Sequence, residues 1–317
     1  MKEIIYFKLV QDYNDMINYK IPVLIKKILF KLKKIFKIIN KKKIQEATIW
    51  ILPIEKNEFN YKIEKIIRNV LKRIDKNTIL VLSKELKKKE IYEILEEFDI
   101  KYVTGKYAKK KLLFKALEYI NKLQNIELKD RNITILVDKN IDNNTVIIKR
   151  LALECKSIKI VGEENNKFKK LEEKLYSEKG IAVQFSNNYR KSLKSSNIII
   201  NLDFNEEEIK KYNINPKAII INTENNLKIK AKFFNGILIN SYNIEFLDRT
   251  IGNDFKAFEC IDIYESLMIA NNSVNEKSIT IINVIGNNGM IECEEIKKYA
   301  SKVLTKYKFG FNIEKQI

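Results

Sequence analysis

Apolar residues recur along this chain in two alternating rhythms: short runs of β-branched residues, and longer stretches spaced at i, i+3 and i+4. The alternation predicts strands followed by helices. Residues Lys2 to Val10 alternate loosely, as an edge strand does. From Ile21, with Pro22 marking a helix start, apolar positions fall at Leu24, Ile25, Ile28, Leu29, Leu32, Ile35, Phe36 and Ile39, and lysines take most of the rest. This is the pattern of a basic amphipathic helix running from Leu24 to Lys43. Ala47 to Ile54, with the only tryptophan, Trp50, reads as a strand, as do Thr78 to Leu82 and Ile100 to Val103. Helices are predicted between them over Phe59 to Ile74 and Lys87 to Phe98, and a long helix from Tyr107 to Leu123 crosses to a second unit.

The second unit opens on the strand Asn132 to Val137, turns through Asp138 to Asn144 and continues as a helix from Val146 to Cys155. The strand Ile158 to Val161 ends on Gly162 and Glu163, and the helix Lys167 to Glu178 closes on Gly180 before the strand Ile181 to Phe185. A short helix, Ser192 to Asn197, leads into the strand Ile198 to Asn201. Strands alternating with helices indicate a parallel sheet. After Asp203 the pattern gives a helix over Glu206 to Tyr212, a strand over Ala218 to Asn222 and a closing strand over Gly236 to Asn240. A helix from Asp254 to Ala270, acidic at Glu259, Asp262 and Glu265, is expected to return across the seam between two lobes. Ile279 to Ile285 is a last strand, and Gly286-Asn287-Asn288-Gly289 reads as a tight turn before the helix Glu292 to Leu304. The expected organisation is an N-terminal strand and basic helix over 1–46, an α/β domain over 47–125, a second over 130–250, and closing helices and strand over 251–317.

In open parallel sheets, ligands meet the carboxyl ends of the strands. The residues placed there to meet a dinucleotide are Asp138, Lys139, Asn140 and Asn143 of the first turn, Glu163 where an acid meets ribose hydroxyls, and Asn201 with Asp203. Asn222 to Glu224, Asn240 and Ser241 stand at further strand ends. The order Ile133 to Leu136, Ile158 to Val161, Leu171 to Leu175, Gly180 and Ser195 to Ile200 resembles the NAD(P)-binding domain of the glutamyl-tRNA reductase and shikimate dehydrogenase kind, between Arg131 and Asp203 only. The resemblance implies a two-lobed, Rossmann-like α/β fold with mostly parallel sheets, NAD(P) as the one cofactor to consider, and a small-molecule ligand in a cleft between lobes. The chain departs from that family at the turn itself. Asp138 to Asn144 holds no glycine, so backbone amides cannot close on a pyrophosphate in the usual way. Asp138 and Asp142 also repel the phosphate that Lys139 attracts. This departure favours a non-catalytic or degenerate small-molecule or nucleotide-binding module. The alternative is an NAD(P)-dependent oxidoreductase of the shikimate dehydrogenase-like kind, for which a lysine such as Lys106 or Lys139 would have to supply acid–base chemistry, with Asp203 as a partner to one of them.

Composition narrows this chemistry. The 317 residues include no histidine, which removes the usual general base near neutral pH and a common zinc ligand. Cys155, Cys260 and Cys293 are scattered without C-x-x-C spacing, read as buried, unmodified thiols, and point to no metal. No signal peptide and no long uncharged apolar run is evident, so a cytoplasmic protein without a transmembrane segment is expected. The charge is strongly positive, with 60 Lys and Arg against 41 Asp and Glu, a net +19. Nine lysines and no acid lie between Leu24 and Lys43. Lys27, Lys31, Lys34 and Lys41 are the candidate contacts to an anionic membrane surface, nucleic acid or an acidic partner, and they define a third reading as scaffold or regulator. The apolar positions Leu24, Ile28, Leu32, Ile35 and Ile39 are expected to pack inward, leaving the lysines solvated. Lys109, Lys110 and Lys111 start the crossover helix just after Gly105, where amide ends favour an anion; three adjacent lysines diverge around a helix, which predicts a solvated face.

Overall fold

Runs such as Ile79–Leu82, Ile198–Asn201 and Ile219–Asn222 are buried along their whole length, so both faces of each strand need cover; parallel sheets between helices supply it. The computed structural model describes residues 3–299 apart from 11–12, 18–20, 36–37, 45–46, 56–60, 164, 181, 231–233 and 272–273. The chain forms two units, Met1–Ala108 with Phe246–Ile279, and Lys109–Glu245 with Thr280–Ile317. Both are α/β, and their main sheets are mostly parallel. Among the described residues no helix is long and apolar enough to cross a membrane.

The first unit contains β1 (Ile4–Val10), α1 (Tyr13–Met16), α2 (Val23–Ile35), β2 (Asn40–Ile44), β3 (Ala47–Glu55), α3 (Tyr61–Leu71), β4 (Ile79–Leu82), α4 (Lys89–Glu97), β5 (Lys101–Tyr102) and the start of α5 (Lys106–Lys111). Its sheet runs β2-β3-β1-β4-β5, with β2 the one antiparallel strand. The loose alternation of the first strand predicts an edge, but β1 is central and every one of its residues is buried. Lys8 is what imitates a solvent-facing position. Its ammonium is kept in the interior by donating to Asp15 Oδ1 at 2.9 Å, which pairs the charge as it leaves water.

The basic helix differs from expectation in both length and orientation. α2 spans Val23–Ile35, the expected helical positions Phe36 and Lys37 lie outside the described residues, and the second group of lysines, including Lys41, belongs to strand β2, where pairing with β3 overrides helical spacing. Lys41 Nζ sits 3.9 Å from the centroid of the Trp50 ring, a cation–π contact. Of the positions expected to pack inward, only Ile39 reaches the core. Leu24, Ile28, Leu32 and Ile35 are 43% to 71% exposed, as are Val23 and Ile25. The helix is seated by the other side instead, with Phe30 buried and Lys33 Nζ donating to the carbonyl of Met16.

The chain continues with α6 (Leu113–Gln124), β6 (Asn132–Leu136), α7 (Ile141–Glu154), β7 (Ser157–Val161), α8 (Asn165–Lys179), β8 (Gln184–Ser186), β9 (Ile198–Asn201), α9 (Glu206–Lys210), β10 (Ile219–Asn222), β11 (Ile237–Ile239) and β12 (Ser241–Phe246). α10 (Cys260–Asn271) returns to the first unit, and β13 (Ile279–Gly286) and β14 (Gly289–Ile291) complete the second. The second unit's large sheet runs β11-β10-β9-β6-β7-β8, and every pair in it is parallel. Counted from β6, that is the Rossmann strand order read from one edge. Gly162 is needed where β7 ends, because a Cβ there would lie 2.3 Å from the Val137 carbonyl and 2.7 Å from the Phe168 ring. β12, β13 and β14 form a separate small sheet. Its hairpin turns at Asn287 and Asn288, as the Gly-Asn-Asn-Gly pattern predicts, and a helix follows over residues 293–299.

Candidate functional site

The Rossmann order reverses between β6 and β9, and the loops leaving these two neighbouring strands define the crevice in which such sheets take ligands. Here the crevice is occupied by the chain itself. The Asp203 carboxylate, from the loop after β9, accepts hydrogen bonds from the backbone N–H of Asp138 at 2.9 Å and of Asn140 at 2.8 Å. These are amides of the turn just before α7, the place where a dinucleotide-binding sheet holds its phosphates. A carboxylate suits them because the amino end of a helix carries partial positive charge. Burial nevertheless raises the Asp203 pKa above its ordinary value, with the two amide bonds opposing that rise.

The other expected contacts are likewise turned on one another. Asp138 Oδ1 accepts from the Glu163 N–H at 2.8 Å, tying the turn to the end of β7. Glu163 Oε1 accepts from the Tyr189 hydroxyl at 2.7 Å and from Lys211 Nζ at 3.2 Å, and those bonds hold its pKa below the usual carboxylate range. Lys139 Nζ donates to Glu208 at 2.5 Å, while the other Glu208 oxygen closes the capping box of α9 with Asn205. Asn143 is exposed on α7 and joins none of these bonds; the buried asparagine of that turn is Asn144, which donates to the Asn140 carbonyl.

Further along the same sheet edge, asparagines at successive strand ends form a ladder. Asn201 Nδ2 donates to Asn222 Oδ1 at 2.9 Å, Asn222 Nδ2 to Asn240 Oδ1 at 2.8 Å, and Asn240 Nδ2 to Asn287 Oδ1 at 2.7 Å. Asn201, Asn222 and Asn240 are buried, so each bond offsets desolvation of an amide that would otherwise be orphaned. Lys109 is not on a solvated face. It is buried and donates to the carbonyls of Glu224 and Asn240. Lys110 pairs with the Glu224 carboxylate at 3.4 Å. Sequence reading placed Lys109 on a solvated face and missed Glu208, Tyr189, Lys211 and the part Asn287 plays in the ladder. The one signal that pointed toward the ladder was asparagine recurring at the ends of isoleucine-rich strands.

These residues do not fit NAD(P). The turn has no glycine, its amides already hold Asp203, and Glu163 is engaged by Tyr189 and Lys211. Space remains at the opposite edge of the sheet. A cavity of about 1030 Å³ opens at the amino ends of β6 and β9, lined by Arg131 and Lys156 and also by the carboxylates of Glu118, Glu127 and Asp130. Arg131 is buried, and donates from Nε to Asn121 and from Nη2 to Gln124. Burial lowers its pKa to about 10, with no carboxylate offsetting the effect.

The first unit uses the same device. Glu265 of α10, 4% exposed, accepts from the N–H groups of Thr104 and Gly105 through Oε1 and of Ala108 through Oε2, at 3.0, 3.2 and 3.0 Å. Gly105 is left-handed at φ +77°, and a Cβ there would stand 3.1 Å from Asp262 Oδ1. Asp262 is fully buried beside Lys87 at 2.5 Å, which also pairs with Glu259 at 2.9 Å. One ammonium thus faces two carboxylates, with that of Glu265 nearby, and burial pushes the Asp262 pKa well up. A carboxyl raised in the folded state stabilises below its unfolded pKa, about 3.9, and loses that contribution as pH rises through the folded value. The stability of the wild type relative to Asp262→Asn should therefore fall between about pH 4 and pH 8, measured by urea unfolding across that range. A difference that grows with pH would mean that the Lys87 pair holds Asp262 ionised.

Among the described residues no group of three or more cysteines and carboxylates is placed to hold a metal ion. The three cysteines are free and half-buried rather than fully buried, and burial pushes the Cys155 thiol up to about 12.

No protein-family model matches the chain, and no curated relative does. Among solved structures, the L-tryptophan dehydrogenase of Nostoc punctiforme is 8% identical with a TM-score of 0.29, covering 70% of this chain and 62% of that one. The dipicolinate synthase A chain of Bacillus subtilis is 10% identical with a TM-score of 0.33, covering 69% and 79%. The ornithine carbamoyltransferase of Gloeobacter violaceus is 9% identical with a TM-score of 0.27, covering 73% and 75%. Likenesses this loose assign no activity; the Rossmann-like character of the second unit rests on its own strand order.

Proposed function

We propose that this chain is a non-catalytic Rossmann-like binding module in which the dinucleotide crevice has become an internal seal. The observation that carries the reading is the Asp203 carboxylate seated on the Asp138 and Asn140 amides, where a pyrophosphate would have to sit. A phosphate entering there must displace a carboxylate already held by two amides, and it meets Asp138 alongside. No histidine is present to act as a general base, and Lys139, one of the candidate lysines, is paired with Glu208. Calorimetric titration with NAD+, NADH, NADP+ and NADPH should show no binding up to millimolar concentration. A micromolar dissociation constant for any of the four would restore the oxidoreductase reading.

The cavity beside Arg131 supports a small-molecule role away from the crevice. A buried guanidinium whose bonded partners are two neutral side-chain amides suits a carboxylate or phosphate group. The reading expects small anionic compounds to raise the melting temperature of the wild type and not that of Arg131→Met. Equal shifts in both proteins would place the binding elsewhere.

A further inference from the structure

α2 carries five lysines and no acid in thirteen residues, and it displays its apolar side to solvent. At 3.6 residues per turn, Leu24, Ile25, Ile28, Leu32 and Ile35 fall within one arc of about 100°. Phe30, the buried residue of the helix, lies nearly opposite the middle of that arc, and Lys33, bonded to the Met16 carbonyl, is also off it. The helix is therefore seated on the first unit by one side and bare on the other. Exposed Lys27 and Lys31 stand along one flank of the bare stripe.

We propose that α2 lies in the plane of an anionic phospholipid surface, with this stripe inserted below the headgroups and Lys27 and Lys31 against lipid phosphates. A helix of this composition, apolar on one side and lysine-flanked, partitions to that depth. At about 20 Å it is too short to span a bilayer. The seated side, with Phe30 and Lys33, faces away from the stripe. Charge selects lipid over a second copy of the chain. Pairing two stripes would bring Lys27 and Lys31 of both helices together, four ammonium groups with no acid on either helix, whereas an anionic headgroup layer neutralises them. This inference stands apart from the sealed crevice and would survive its failure.

The test is co-sedimentation of the full chain with phosphatidylcholine vesicles containing about 30 mol% phosphatidylserine, beside vesicles of phosphatidylcholine alone. The wild type should bind the anionic vesicles, retain part of that binding in high salt, and ignore the neutral ones. Lys27→Glu with Lys31→Glu should weaken anionic binding at least about tenfold, since each lysine near such a surface contributes roughly one kT or more. Leu24→Ser with Ile28→Ser and Leu32→Ser should abolish the salt-resistant part. The stripe is already exposed, so thermal melting should be unchanged in both variants, and melting is measured alongside. A tryptophan introduced as Leu32→Trp should be quenched by lipids brominated along their chains. Absence of binding at low salt, or the same binding in the serine variant as in the wild type, overturns the proposal. So does a dimer in light scattering that the serine variant dissociates, because a second copy would then cover the stripe.

Discussion

Glu265→Ala should destabilise the first unit by about 3–5 kcal/mol, since it orphans three backbone N–H groups at roughly 1–3 kcal/mol each with partial rescue by water. Glu265 is 4% exposed, and its two oxygens hold Thr104, Gly105 and Ala108 around the start of α5. The left-handed Gly105 turn brings those amides together. Glu265→Gln keeps one acceptor oxygen but turns an NH₂ group on a neighbouring N–H, so it should cost roughly half as much as alanine. Urea unfolding measures both. A loss below about 1 kcal/mol for the alanine variant would mean that solvent replaces the carboxylate and that the bonds do not fix the turn.

Asp203→Ala should cost about 2–4 kcal/mol, because two charge-assisted bonds to the turn amides are lost together and the start of α7 loses a favourable charge. The effect should remain below that of Glu265→Ala: Asp203 is only partly buried, and water can reach the amides it leaves. Opening the crevice in this way should not create a dinucleotide site. Asp203→Gly should bind NAD(P) no better than the wild type, since the turn still lacks the glycines that allow close backbone approach. Calorimetry on that variant separates the two obstacles. Micromolar binding would show that Asp203 alone had excluded the cofactor.

The parallel sheet of the second unit was legible because isoleucine-rich runs such as Ile198–Asn201 and Ile219–Asn222 admit few arrangements other than strands buried on both faces. β1 was misread as an edge because Lys8 imitates a solvated position, and its partner Asp15 is recognisable only once the chain has folded. No glycine or proline marks the end of α2, so nothing in the lysine run distinguishes helix from the strand that pairs with β3. Periodicity located the apolar stripe of α2, but periodicity cannot say which side is covered, and the anchoring by Phe30 and Lys33 runs against the usual assumption. At the crevice, residue types pointed to the right place and the wrong partner. Asp138, Glu163, Asn201 and Asp203 do gather at the carboxyl edge of the sheet. Their bonds to groups from 21 to 65 residues away are a tertiary fact that local spacing does not carry.

The amides of Asp138 and Asn140 themselves test the seal most directly. Native-state hydrogen exchange, followed by NMR in the wild type and in Asp203→Ala, should find both amides protected in the wild type and released at least about tenfold faster in the variant, as loss of a bond worth 1.4 kcal/mol or more requires. Ile135 in the core of β6 should keep protection matching the global stability of each protein. Exchange at Asp138 and Asn140 that is rapid in the wild type, or unchanged by the substitution, would contradict the claim that Asp203 occupies this crevice.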